Sequence, residues 1–209
     1  MISTYVQYGL PPEYRLPVAI EETGDTSLDH DERFRPSPCP AERYEDFGYV
    51  IVRKLVELTL CDQLVTAFRR EIKPFRGSLL RQASARAGPH LFTTDGFMAN
   101  ALLSVQDLVD PCFQQFRNHT IEVMAGQHTQ KIARQLLAGA PLLIESMYFE
   151  STLIGVPLHA DGDYMDSDVP GAMLGAWFAL EDITPLAGRF VLVPRSHRLG
   201  QGSGKTAAA

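Results

Sequence analysis

His159 and Asp161 stand two residues apart, and their side chains could share one task. On an extended backbone alternate side chains point to the same face. The spacing His159-Ala160-Asp161 therefore aims an imidazole nitrogen and a carboxylate at one point. Joined by a second histidine, such a pair is the facial triad of non-haem iron(II) oxygenases. That triad leaves open positions for a chelating cosubstrate and dioxygen. A lone His-x-Asp is common at strand ends, so the pair draws its meaning from the segments around it.

Other chemistry-bearing patterns fail on register. In the acidic run Asp161, Asp163, Asp166 and Asp168, a calcium loop of EF-hand type needs Gly at its sixth position and Glu at its twelfth. Counted from Asp161, those positions hold Asp166 and Ala172. The run Gly200–Thr206 resembles a phosphate-binding loop, but its first glycine would fall on Leu199, and only Ala207–Ala209 follow. Residues 73–90 carry Lys73, Arg76, Arg81 and Arg86 around Gly88-Pro89 and read as a basic loop. Such a loop is either solvated or a seat for an anionic substrate.

The elements that must position these residues change character along the chain. Residues 1–42 are punctuated by Pro11, Pro12, Pro17, Pro36, Pro38 and Pro40 and read as an irregular N-terminal extension ahead of a domain over 43–209. Phe47–Val52 reads as a strand. Thr59, with Asp62 reaching back, reads as the cap of a helix whose inner face is Leu64, Val65, Phe68 and Ile72, ended by Pro74. Asp110-Pro111 starts a second helix with Phe113, Phe116 and Met124 on one face. Thr129 caps a third with Ile132, Leu136 and Leu137 inside, closed by Gly139. Four strands are expected after Pro141, at Leu142–Phe149, Ile154–His159, Ala172–Leu180 and Phe190–Val193. Helices first and short strands afterwards predict an α+β chain whose β part is a sandwich or barrel.

Composition narrows the function classes. With 209 residues, 45% of them apolar and 21% charged, the chain can bury one core. A net charge of −6 argues against non-specific nucleic-acid binding. No apolar run reaches the ~20 residues that span a bilayer. The three cysteines, Cys39, Cys61 and Cys112, are widely spaced and fit a reducing compartment, so a cytoplasmic protein is expected.

In order along the chain stand Tyr44-x-x-Phe47-Gly48-Tyr49, His159-Ala160-Asp161, Trp177-Phe178-Ala179-Leu180-Glu181-Asp182-Ile183-Thr184, Gly188 and Pro194-Arg195-Ser196-His197. This ordered set resembles the phytanoyl-CoA dioxygenase family of iron(II)/2-oxoglutarate oxygenases over roughly 44–200. The resemblance implies a double-stranded β-helix, jelly-roll and cupin-like, with N-terminal helices packed on it. It implies that His159 and Asp161 are iron ligands, and that Trp177 and Met147 line the 2-oxoglutarate pocket. It implies that His197 is a turn histidine outside the iron sphere. The implied activity is hydroxylation or desaturation of a small organic or acyl substrate, coupled to decarboxylation of 2-oxoglutarate to succinate. A carboxylate at Asp161 favours that outcome over halogenation.

Departures accompany the resemblance. Ala187 replaces an Asn, Arg195 replaces a turn Gly, and Ser104 stands where some members have a Lys on 2-oxoglutarate. The family's distal His and its 2-oxoglutarate-binding Arg have no match after His197. The expectation is a C-terminally truncated domain with an incomplete β-helix, and a partner chain or second copy covering its strand edges. The alternative function is a catalytically incomplete fragment or a relic binding protein.

Overall fold

The structure is a computed structural model that describes residues 39–137, 145–151, 159, 173–183, 190 and 192–198. Helix α1, Pro40–Phe47, starts with proline in its first turn, where the missing N–H costs no hydrogen bond. It ends at Gly48, whose φ of 79° is the left-handed conformation that glycine adopts freely. The strand expected at Phe47–Val52 is therefore absent. Gly48 turns the chain out of the helix, and Tyr49–Val52 finds no ladder partner among the described residues.

Helix α2 spans Leu58–Ala67 and continues through one wide π turn, Phe68–Ile72, closed by Lys73 N–H to Phe68 O at 3.0 Å. Its cap is Glu57 rather than Thr59. The backbone is extended at Glu57, whose carbonyl accepts from Leu60 and Cys61, and no side chain caps the end. Leu64, Phe68 and Ile72 are buried as their spacing predicts, and helical backbone stops at Pro74.

The segment read as a basic loop folds into a hairpin, β1 (Leu79–Arg81) against β2 (Arg86–Gly88). Strand β3, Leu102–Leu103, pairs with β1, and β4, Met147–Tyr148, pairs with β3, giving an antiparallel sheet in the order β2-β1-β3-β4. A tight turn of 3-10 helix, Pro111–Phe113, is capped by the Asp110 side chain, which accepts from Cys112 N–H at 2.9 Å. Helices α3, Gln114–Ala125, and α4, Gln127–Leu137, follow. Inside them the buried residues are Phe116, Thr120 and Val123, then Ala133. Thr129 bonds back to Val123 O at 2.8 Å across the α3–α4 junction, while Gly139 lies outside the described residues.

Helices packed on a small antiparallel sheet make this an α+β fold. The core joins α2, α3 and the sheet through three rings. Tyr148 stacks on Phe68 at 4.6 Å between centroids and meets Phe116 edge-on at 5.1 Å. Glu71 locks the two helices further: its Oε2 accepts from Phe116 N–H at 2.9 Å, placing a carboxylate at the positive end of α3.

Of the strands expected after Pro141, only Met147–Tyr148 forms one among the described residues. Met173–Leu180 carries no strand, and neither do Phe190, Leu192 and Val193. Strand geometry persists only where a neighbour completes the hydrogen-bond ladder, and no described segment pairs with them. Residues 154–158 of the second expected strand lie outside the described residues.

Candidate functional site

Strand β4 sets the position of Met147. Tyr148 is buried in the ring cluster, and the β3 register pairs Leu103 with Met147, leaving Met147 half-buried on the other face of the strand. The entry to β4 is tied by a polar knot. Glu145 accepts from Ser104 N–H at 2.8 Å, from Ser104 Oγ at 3.1 Å and from Ser146 N–H at 2.9 Å. Buried Ser146 Oγ donates to Gln106 Oε1 and accepts from Gln106 N–H at 3.1 Å. Ser104 adopts a left-handed φ of 52°, which this knot holds in place. Its hydroxyl is engaged by a carboxylate, so it supplies none of the positive charge that a lysine would bring.

The exit from β4 is tied by Glu150. One carboxylate oxygen meets Lys73 Nζ at 2.6 Å and the other accepts from the buried Met98 N–H at 2.6 Å. Burial pushes the Tyr148 phenol up, and the Glu150 and Glu181 carboxylates push in the same direction. Tyr148 therefore stays protonated and serves as a packing group.

Trp177 is positioned from the segment after the His-x-Asp pair. Leu180 belongs to the buried core and Phe178 packs against it, which anchors the tryptophan beside them. The Trp177 ring stacks on Phe190 at 5.6 Å with 20° between planes. Its Nε1 is shielded from solvent and has no hydrogen-bond acceptor among the described residues. A buried N–H without an acceptor is costly. This donor suits a ligand that brings an oxygen, such as a carboxylate.

His159 is half-buried, and Asp161 lies outside the described residues. Among the described residues no group of three or more His, Cys, Asp or Glu side chains is gathered closely enough to hold a metal ion. His197 sits elsewhere in the fold, on the 3-10 turn Ser196–Arg198, where its Nε2 donates to Glu45 O at 2.9 Å. Arg198 donates to the same carbonyl at 3.2 Å, and Arg195 N–H donates to Phe47 O at 2.7 Å. These donors satisfy the C-terminal carbonyls of α1. The groove between α2 and α3, lined by Asp62, Thr66, Arg70, Gln115 and His119, includes none of His159, Met147 or Trp177.

Motif reading singled out His159, Met147, Trp177 and Ser104 but missed Glu145 and Glu150. Their signal was faint: two acids flanking the four residues Ser146–Phe149, with partners 41 and 77 residues away.

Helices on a small sheet, with a half-buried His159 and a shielded tryptophan N–H, describe an α+β protein. The model of the family phytanoyl-CoA dioxygenase (PhyH) matches residues 44–208, and the chain belongs to that family. It is thus a member of a dioxygenase family whose chemistry is of the iron(II)/2-oxoglutarate type. No solved structure matches the chain. No helix among the described residues is long and apolar enough to cross a membrane.

Proposed function

We propose that the protein is an iron(II)/2-oxoglutarate-dependent dioxygenase that hydroxylates or desaturates a small organic or acyl substrate. The observation that carries this reading is the family match over 44–208, with His159-Ala160-Asp161 inside it. The donor set suits the metal. A neutral imidazole and a carboxylate fit iron(II), and further positions stay open for cosubstrate. When bound, iron(II) with 2-oxoglutarate supplies the oxidising chemistry, and the protein supplies binding and orientation.

Each residue then has a task. His159 and Asp161 would hold the metal. Trp177 would donate its Nε1–H, which has no acceptor among the described residues, to a 2-oxoglutarate carboxylate while its ring, braced by Phe190, excludes water. Met147 would close the pocket as an apolar wall, with Glu145 and Glu150 holding β4 in place from either end. The jelly-roll scaffold, the division into an extension over 1–42 and a domain over 43–209, and a second copy or partner chain over the strand edges belong to the same reading. Cytoplasmic residence accords with the three widely spaced cysteines Cys39, Cys61 and Cys112.

Anaerobic titration with iron(II) and 2-oxoglutarate tests the proposal. The expected result is a visible charge-transfer band that disappears in His159→Ala, accompanied by a change in the emission of Trp177, the sole tryptophan. A folded protein with neither signal overturns the proposal and leaves a non-catalytic member of the family. In the proposed reading His197 is a turn histidine, with its Nε2 spent on Glu45 O.

A further inference from the structure

Arg81 is 4% exposed and has no carboxylate partner among the described residues. Its guanidinium is instead built into the root of the loop 89–100 between β2 and β3. Nε donates to Gly88 O at 3.0 Å and Nη1 to Asn100 O at 3.2 Å, with Met98 Sδ at 3.6 Å. Nη2 faces His90 Nδ1 at 2.9 Å. The other ring nitrogen of His90, Nε2, lies 2.8 Å from Ile72 O, at the end of the π turn.

Elementary hydrogen-bond chemistry fixes the protonation of that ring. A guanidinium only donates, and a carbonyl only accepts. His90 Nδ1 must therefore carry a lone pair and Nε2 the proton. This neutral tautomer alone satisfies both contacts. A second proton would go on Nδ1 and aim an N–H at Arg81, breaking the Nη2 bond and setting two cations side by side.

The charges around His90 come from every element packed against it. Arg81 faces it from β1, Arg76 from the segment after α2, and Glu150 from the end of β4. Glu150 is the one carboxylate in this set, and both its oxygens are engaged, by Lys73 Nζ and Met98 N–H. Burial holds the imidazole below its ordinary range. The Ile72 carbonyl and Glu150 oppose that shift, and Arg81 and Arg76 add to it.

We infer that His90 is an acid-release latch: neutral, it accepts from Arg81 and holds it in the root of the loop between β2 and β3, and protonated, it stays on Ile72 O but repels Arg81 and lets residues 91–99 open. The loop is suited to move as a unit. It is closed on itself by Ala99 N–H to Leu91 O at 2.7 Å and Thr93 N–H to Phe97 O at 2.8 Å. Its outer side chains Leu91, Phe92 and Phe97 are already exposed. Inward it contributes Met98, which is fully buried in the core, so opening uncovers a core contact.

Imidazole 15N NMR of the full chain, with amide hydrogen exchange at pH about 7.5 and about 5.5, tests the latch. The expected tautomer of His90 is Nε2–H, titrating below the ordinary histidine value of about 6.5. After correction for intrinsic exchange, protection at Thr93, Phe97 and Ala99 should fall about tenfold at the lower pH, while Thr120 and Val123 in α3 keep theirs. His90→Gln retains one acceptor and one donor and does not titrate, so its loop should be equally protected at both pH values. An Nδ1–H tautomer, unchanged loop protection at low pH, or the same loss in His90→Gln overturns the inference. If His90→Gln fails to fold, the wild-type tautomer and loop protection decide the matter alone.

Discussion

Gly48 shows how one residue joins two distant motifs. Its φ of 79° suits glycine, and a Cβ placed there would overlap His197 Nδ1. Gly48→Ala should therefore lower the unfolding free energy by roughly 1–3 kcal/mol, the usual range for strain at such a position. Repeating the substitution in a His197→Ala background separates the two causes. The overlap part vanishes and the backbone part stays, as chemical denaturation of the four proteins would show. A second prediction concerns Cys112, whose exposed thiol is pushed up chiefly by its hydrogen bond to Asp110. Since the thiolate is the reactive form, Asp110→Asn should speed alkylation of Cys112 at neutral pH, read by mass spectrometry. At this scale the sequence was legible where apolar spacing decides burial, as for Leu64, Phe68 and Ile72. It was opaque for Ser104, whose surroundings are set by Glu145, 41 residues away.

Elements were legible in proportion to their length. The helices α2 and α3 show apolar spacing over ten or more residues, enough for a period of 3.6 to emerge. Strands of two or three residues cannot display an alternation, so β1 and β2 read as loop and β3 gave no signal. Phe47–Val52 failed in the opposite sense, since β-branched composition signals a strand only where a partner exists. The sheet is held to the loop between β2 and β3 by Glu150, which yields a prediction about an element rather than a residue. Glu150→Ala leaves the buried Met98 N–H without an acceptor and should cost about 1–3 kcal/mol. Hydrogen exchange should show the loss concentrated in residues 91–100. An even loss across α2 and α3 would mean that Glu150 supports the core rather than the loop.

For the whole molecule, acid sensitivity follows from the sign of one shift. The folded-state value of His90 lies below its unfolded value of about 6.5. Below that pH the unfolded chain binds a proton that the native site refuses, so stability falls as pH drops and levels off below the folded value. The urea midpoint should decline on acidification below about 6.5, and His90→Gln should flatten the decline. An equal slope in both proteins would assign the acid sensitivity to other groups. The α+β class was legible at this scale, but not its order, since β1, β2 and β3 precede α3 and α4. The family was legible only through the ordered set of motifs, because a three-residue pattern such as His-x-Asp carries little information alone.

The turn that satisfies the end of α1 also sets a timetable. His197 and Glu45 are 152 residues apart. At ribosomal rates of ~5–20 residues per second, roughly 8–30 s separate the synthesis of the two. Through that interval the last carbonyls of α1 face water, and the helix is too short to persist alone. The end of the first described element is therefore among the last parts of the fold to be satisfied. A nascent protein that stalls before residue 195 would present a loose N-terminal segment to proteases and chaperones, whereas a finished one would not.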